Sequence, residues 1–206
     1  MIVRIYVKNL KLFLLPYVLF SNIEVAGAIE ITAHKAFYSI KLGNVSQGSN
    51  FVGVKGNMAV VVERTCEGWT MSQNLRMDLA TPNGEEMLQD FRSTVWESDD
   101  GTIFRFFSSN NVNGKREDFR GQASKMSTNE EGIARYKMPK GLSFKLPKGT
   151  LFPIRHNVWL IEKAVAGERQ VSSKVFDGSG GGGVQKVTAF ISKKKKSVKI
   201  MAEKFP

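Results

Sequence analysis

The sequence predicts a mainly β protein: a curled antiparallel sheet with one amphipathic helix near 153–167. Three observations predict it. Apolar and polar residues alternate with period two through most of residues 34–138. Turn pairs such as Gly43-Asn44, Glu67-Gly68, Asp99-Asp100-Gly101 and Asn113-Gly114 separate the runs, with no helical stretch between them. One later segment alone switches to helical spacing. Strand, turn, strand without a helix gives a meander, and a long antiparallel sheet twists and curls.

The elements follow in order. Residues 34–42 put His34, Ala36, Tyr38, Ile40 and Leu42 on one face. Residues 58–64 read as a strand. Residues 69–79 set Trp69, Met71, Leu75, Met77 and Leu79 against Thr70, Ser72, Asn74, Arg76 and Asp78. Residues 87–98, 102–108, 117–126 and 132–138 continue the pattern. In 102–108, Phe104 and Phe106 face one way and Ile103, Arg105 and Phe107 the other, so that strand is expected to be covered on both faces. From 153 to 167, Ile154, Val158, Ile161 and Val165 recur at helical spacing; Pro153 suits the first turn and Gly167 a C-terminal cap. Strands return at 170–176 and 184–192. The glycine run at 180–183 joins these two strands, lacks the helix and Lys-Ser or Lys-Thr of a phosphate cradle, and reads as a flexible hairpin loop.

Composition narrows the function. The chain has 206 residues, enough for one domain with a real core. A single cysteine, Cys66, excludes an internal disulfide and a cysteine-based zinc set. Two histidines leave little for triad or metal chemistry, so no metal, cofactor or catalytic residue is expected. The net charge of +11 sits mostly at the ends: residues 29–185 carry only +3 and residues 186–206 carry +6. A nucleic-acid binder would carry its basic face on the folded body, so no nucleic-acid partner is expected.

Residues 1–28 read as a signal peptide. Arg4, Lys8 and Lys11 precede the apolar stretch 12–20, and Ala26-Gly27-Ala28 supplies a cleavage tripeptide. The apolar stretch is too short to span a bilayer. The expected mature chain starts at Ile29, with a β-rich domain over 29–192 and a basic tail over 193–206. It is expected in the periplasm and not membrane-spanning.

The motifs of the mature chain also run in a recognisable order. They are Ala33-His34-Lys35-Ala36 with Tyr38 and Leu42, Gly56-Asn57-Met58, Cys66-Glu67-Gly68-Trp69-Thr70 with Gln73, Trp96-Glu97-Ser98 before Asp100-Gly101, then Gly121 and Ala123. Leu146-Pro147, Gly149-Thr150-Leu151-Phe152-Pro153 with His156, and Val175-Phe176-Asp177-Gly178-Ser179 complete the set. In this the sequence resembles the EipB family of periplasmic envelope-integrity proteins from alphaproteobacteria. The resemblance implies a bracelet-like antiparallel sheet with an apolar pocket, a role in envelope integrity without catalysis, and a tetratricopeptide-repeat protein as one partner. It also implies a disulfide from Cys66 to a second cysteine near the family's C-terminus. Here Ile191-Ser192 runs into Lys193, the chain ends at Pro206, and that partner cysteine is absent, so the domain is expected to be incomplete at its C-terminal end.

The candidate residues divide between structure and binding. Cys66 is expected to be a part-buried structural thiol; a hydrolase using Cys66 with a histidine is the rival reading, and a degenerate remnant a third. His34 reads as a satisfied core histidine, and His156 as bonded to the loop before its helix. Glu97, Asp99 and Asp100 read as a turn rather than a calcium site. Tyr38, Trp69, Met71, Met77, Phe104, Phe106 and Phe107 are the pocket candidates, because methionine and aromatic side chains suit a loosely specific apolar or lipid-like ligand.

Overall fold

The computed structural model describes residues 31–46 and 48–194. The expected signal peptide with its cleavage tripeptide, and all of the expected basic tail beyond Lys194, lie outside the described residues.

Eight strands form one antiparallel sheet in strict chain order. They are β1 (His34–Lys41), β2 (Gly53–Arg64), β3 (Gly68–Ala80), β4 (Glu86–Ser98), β5 (Ile103–Val112), β6 (Lys115–Lys125), β7 (Gly132–Met138) and β8 (Ser143–Leu146). β1 and β8 are the edges, so the sheet is open. A second sheet holds β9 (Thr150–Leu151), β10 (Gln170–Val175) and β11 (Gln185–Phe190), in the order β11-β10-β9. β9 and β10 are parallel, and α1 (Pro153–Val165) is the crossover between them. The expected meander is therefore right for the large sheet and incomplete for the second. β8 and β9, of four and two residues, are too short for any period to mark them.

Register and alternation define the two faces of the large sheet. Val62 opposes Met71, Met71 opposes Val95, Val95 opposes Phe106, and Phe106 opposes Gly121, which opposes Tyr136. This row lies on the inner face. Arg105, Phe107, Arg120 and Arg135 belong to the opposite, outer face. The tightest turn, Asn113-Gly114 between β5 and β6, has φ of 51° and 84°, which is why an Asn-Gly pair stands there.

The core covers only the β4–β8 part of the inner face. Phe104, Phe152, Phe176 and Leu146 are fully buried, and Phe106 and Tyr136 nearly so. Phe104 stacks on Phe152 at 4.9 Å between ring centres, and Phe106 meets Tyr136 edge-on at 4.9 Å. The segment between β10 and β11 presses onto these rings. Ser108 Oγ donates to the Gly178 carbonyl at 3.1 Å, and the Tyr136 hydroxyl to the Gly180 carbonyl at 2.8 Å. A Cβ on Gly178 would stand 2.3 Å from Phe106 Cγ, and one on Gly183 2.8 Å from Phe144 Cδ1. The glycine segment is thus a hairpin connection, as expected, but a docked one: its glycines let backbone lie flat on aromatic rings.

The helix enters the core by its first turn. Its N-cap residue Phe152 offers no side-chain cap. Glu97 of β4 does the capping instead, accepting from the Ile154 N–H at 2.8 Å and the Arg155 N–H at 3.0 Å. Ile154 is buried, but Ile161 and Val165 are 45% and 76% exposed. The predicted apolar stripe of the helix is therefore buried only at its N-terminal end.

Candidate functional site

The inner face continues past the core onto β1–β4, and there its apolar side chains change environment. Tyr38, Met58, Leu75 and Phe91 oppose one another in turn across four strands. Ile40, Gly56 and Met77 form the next row, and Ala36 and Val60 flank the first on the other side. Tyr38 is 48% exposed, and Met58, Val60, Leu75, Met77 and Phe91 are half-buried. A Cβ on Gly56 would lie 2.9 Å from Met77 Cγ, so glycine there lets the methionine lie across the strand. The row turns polar where it meets β5 at Asn110. The result is an apolar surface, open toward β1 and bounded by the packed core on the β5 side.

The seven predicted pocket residues divide accordingly. Tyr38, Trp69, Met71, Met77, Phe104 and Phe106 share the inner face. Tyr38 and Met77 lie on its open part. Met71 sits at the border, packed against the core while only partly buried. Trp69 lies near the β2–β3 turn, with the Arg64 guanidinium 5.1 Å from its ring centre. Phe104 and Phe106 are 0% and 4% exposed, and their side chains fill the core rather than the open part of the inner face. Phe107 is on the outer face and 36% exposed, because alternation forces it opposite its neighbours; the expectation that it shares the pocket, and that both faces of β5 are covered, fails for that reason. Met58, Leu75 and Phe91 complete the open row. Their signal was positional: each is the apolar member of its strand's alternation in register with Tyr38.

The chemistry-bearing residues disperse. Cys66 is a free thiol in the β2–β3 turn and is exposed, not part-buried. The turn is closed by Thr65 N–H donating to the Gly68 carbonyl at 2.8 Å, which projects the intervening residues outward. His34 is likewise exposed, since it starts an edge strand; its Nδ1 lies 2.7 Å from the Thr32 carbonyl. His156 does not bond the preceding loop through its side chain. Its Nε2 is buried without a partner, its ring stacks on Trp159, and burial holds its pKa below the usual value.

The three neighbouring carboxylates diverge. Asp99 forms a two-pronged ion pair with Arg64. Asp100 Oδ1 accepts from Ser98 Oγ, the Thr102 N–H and Thr102 Oγ1, bonds that close the β4–β5 turn and hold its pKa low. Glu97 points inward, and burial pushes its carboxyl up to about 7 despite the two helix N–H groups. Lys125, also on the inner side, donates to the Thr150 carbonyl at 2.7 Å and lies over Phe152, and burial lowers its pKa. Among the described residues no group of three metal-ligating side chains converges, and no helix is long and apolar enough to cross a membrane.

The described strands thus make an open antiparallel β-meander with an apolar inner face, part packed core and part surface. The chain belongs to the EipB-like family, which it matches over residues 25–204. It is 30% identical over 158 residues to the cell envelope integrity protein EipB of Brucella abortus (strain 2308), an overlap of 75% of this chain and 55% of that protein. The chain thus spans about half the length of that curated relative. The fold is similar to the crystal structure of a β-barrel-like protein of the domain of unknown function DUF1849 from Brucella abortus. The TM-score is 0.69 at 27% identity, covering 80% of this chain and 69% of that one.

Proposed function

We propose that this chain is a non-enzymatic periplasmic protein that supports cell-envelope integrity by holding an apolar, lipid-like ligand against the open part of its inner face. One observation carries the reading. In the row Tyr38, Met58, Leu75 and Phe91, Tyr38 is exposed and the other three apolar side chains are only partly buried, next to a fully packed core. Contiguous exposed apolar surface of this kind marks ligand or partner sites in soluble proteins. The flexible thioethers of Met58, Met71 and Met77 suit acyl chains of varied shape. The relative's name, cell envelope integrity protein, supports the envelope role. The dispersal of Cys66, His34 and His156 to separate environments favours binding over hydrolysis.

The test is organic extraction of protein purified from the periplasm, followed by mass spectrometry. A lipid recovered in near-stoichiometric amount supports the reading. Extracts indistinguishable from those of an unrelated periplasmic protein contradict it.

A further inference from the structure

The outer face of the large sheet carries a different kind of surface. A cleft of about 770 Å³ is lined by Thr70, Thr94, Trp96, Arg105, Phe107, Arg120, Gln122 and Lys137, together with Val95, Phe106 and Gly121. No carboxylate lines it. Arg105 and Arg135 flank Gln122 across three strands, and Arg120 follows on β6. All four cations, Arg105, Arg120, Arg135 and Lys137, are exposed, and none forms an ion pair among the described residues.

Two features show that this clustering is built. The β6–β7 ladder has a bulge: Arg120 opposes Met138 and Gly121 opposes Tyr136, so Lys137 is the extra residue. A bulge brings consecutive residues toward one side and re-aims them, which adds both Lys137 and Met138 to the outer face. In addition, the Arg105 guanidinium lies 4.7 Å from the Trp96 ring centre, and Trp96 Nε1 is itself fixed by Thr65 Oγ1 at 3.1 Å. Apolar side chains stand among the cations: Phe107 is 36% exposed and Met138 48%.

We propose that this outer patch of β5–β7 docks the protein onto an anionic phospholipid membrane, Arg105, Arg120, Arg135 and Lys137 meeting headgroup phosphates while Phe107 and Met138 enter the interface. A small free anion would call for cations converging on one point. These are exposed and spread over three strands about 5 Å apart, with apolar side chains between them, which is the pattern of an interfacial surface. The proposal concerns the face opposite the ligand surface and stands without it.

The test is sedimentation of the full chain with vesicles of phosphatidylglycerol and phosphatidylcholine in a 3:7 mixture, compared with pure phosphatidylcholine. Any binding by the apolar residues 12–20 is independent of lipid charge, so the neutral vesicles report it separately. The expected result is binding that needs the anionic lipid and fades at high salt. A basic residue at an anionic surface contributes about a fivefold effect, so Arg120→Gln with Lys137→Gln should weaken partitioning about 25-fold at unchanged circular dichroism. Arg105→Gln with Arg135→Gln serves as an independent second pair. Replacing Lys193, Lys194, Lys195 and Lys196 by Gln, or Lys35 and Lys55 by Gln, should weaken it much less. Equal binding to neutral vesicles, wild-type binding by both patch variants, or an equal loss from the Lys35 and Lys55 pair would overturn the proposal. So would tight binding of polyglutamate without binding of anionic vesicles, which would make the partner an acidic protein.

Discussion

Replacing Gly178 by alanine tests how the inner face is closed over the core. The added Cβ would stand 2.3 Å from Phe106 Cγ and 2.5 Å from Cδ2. Phe106 has no room to yield: it is 4% exposed, with Tyr136, Phe176 and Phe104 at 4.9, 5.6 and 5.7 Å between ring centres. Overfilling a packed core costs about 1–3 kcal/mol. Gly178 also has φ of +66°, where a non-glycine residue pays about 1–2 kcal/mol more. The segment has one escape, which is to lift off the sheet. That sacrifices the hydrogen bonds from Ser108 and Tyr136, worth about 1 kcal/mol each, and exposes aromatic surface. Either route predicts a destabilisation of about 3 kcal/mol, or a fall in Tm of about 6–12 °C for a domain of this size. Gly180→Ala is the control, since nothing lies within 4 Å of its Cβ position, and it should change Tm by little. Thermal melts followed by circular dichroism make the comparison. Similar Tm values for the two variants would refute the docked-segment account.

Two further predictions concern buried charge and the thiol. Glu97 has its carboxyl raised from 4.5 to about 7 by burial, so the folded state binds a proton that the unfolded state has released between these values. Its contribution to stability is full below pH 4.5 and declines as pH rises through 7, by about 3 kcal/mol at about 1.36 kcal/mol per pKa unit. His156, with its pKa lowered, acts oppositely, losing stability as pH falls through 6.5. The difference in urea unfolding between wild type and Glu97→Gln, measured from pH 5 to 8, isolates the carboxylate; a difference constant with pH would contradict the assignment. Cys66, exposed in its turn, should react with a thiol reagent in native buffer as fast as a free peptide thiol. Cys66→Ser should shift stability by no more than about 0.5 kcal/mol, and labelling that requires denaturant would contradict the exposed placement.

Much of the architecture was legible because it is local. The alternation around Trp69–Met77 marks β3, Asn113-Gly114 marks a hairpin, and Pro153 with Gly167 brackets α1 closely. What the alternation cannot show is which segment covers which row. Gly178 and Gly183 have no side chains to announce packing, so a docked segment reads as a flexible one. Glu97 sits beside a turn and looks like part of it, but its partners Ile154 and Arg155 are 57 and 58 residues away. The bulge at Lys137 is a property of pairing, invisible in either strand alone. Phe107 is the instructive case: its opposition to Phe104 and Phe106 is plain from parity, yet hydrophobic clustering in sequence drew it into the same pocket. Parity is the stronger physical constraint, because a pleated strand cannot turn adjacent side chains to one side without a bulge.

The central claim is that the open inner surface over β1–β4 takes an apolar ligand. The most direct measurement is titration of a fluorescent fatty-acid probe against wild type, Leu75→Glu and Asn74→Glu. Leu75 lies mid-row between Met58 and Phe91, while Asn74 is its immediate neighbour on the outer face. Both variants add the same charge to the same strand. The account predicts saturable binding by wild type and Asn74→Glu, displaced by unlabelled lipid, and at least tenfold weaker binding by Leu75→Glu. Equal affinities for the two variants, or no saturable binding by folded, monodisperse wild type, would contradict it.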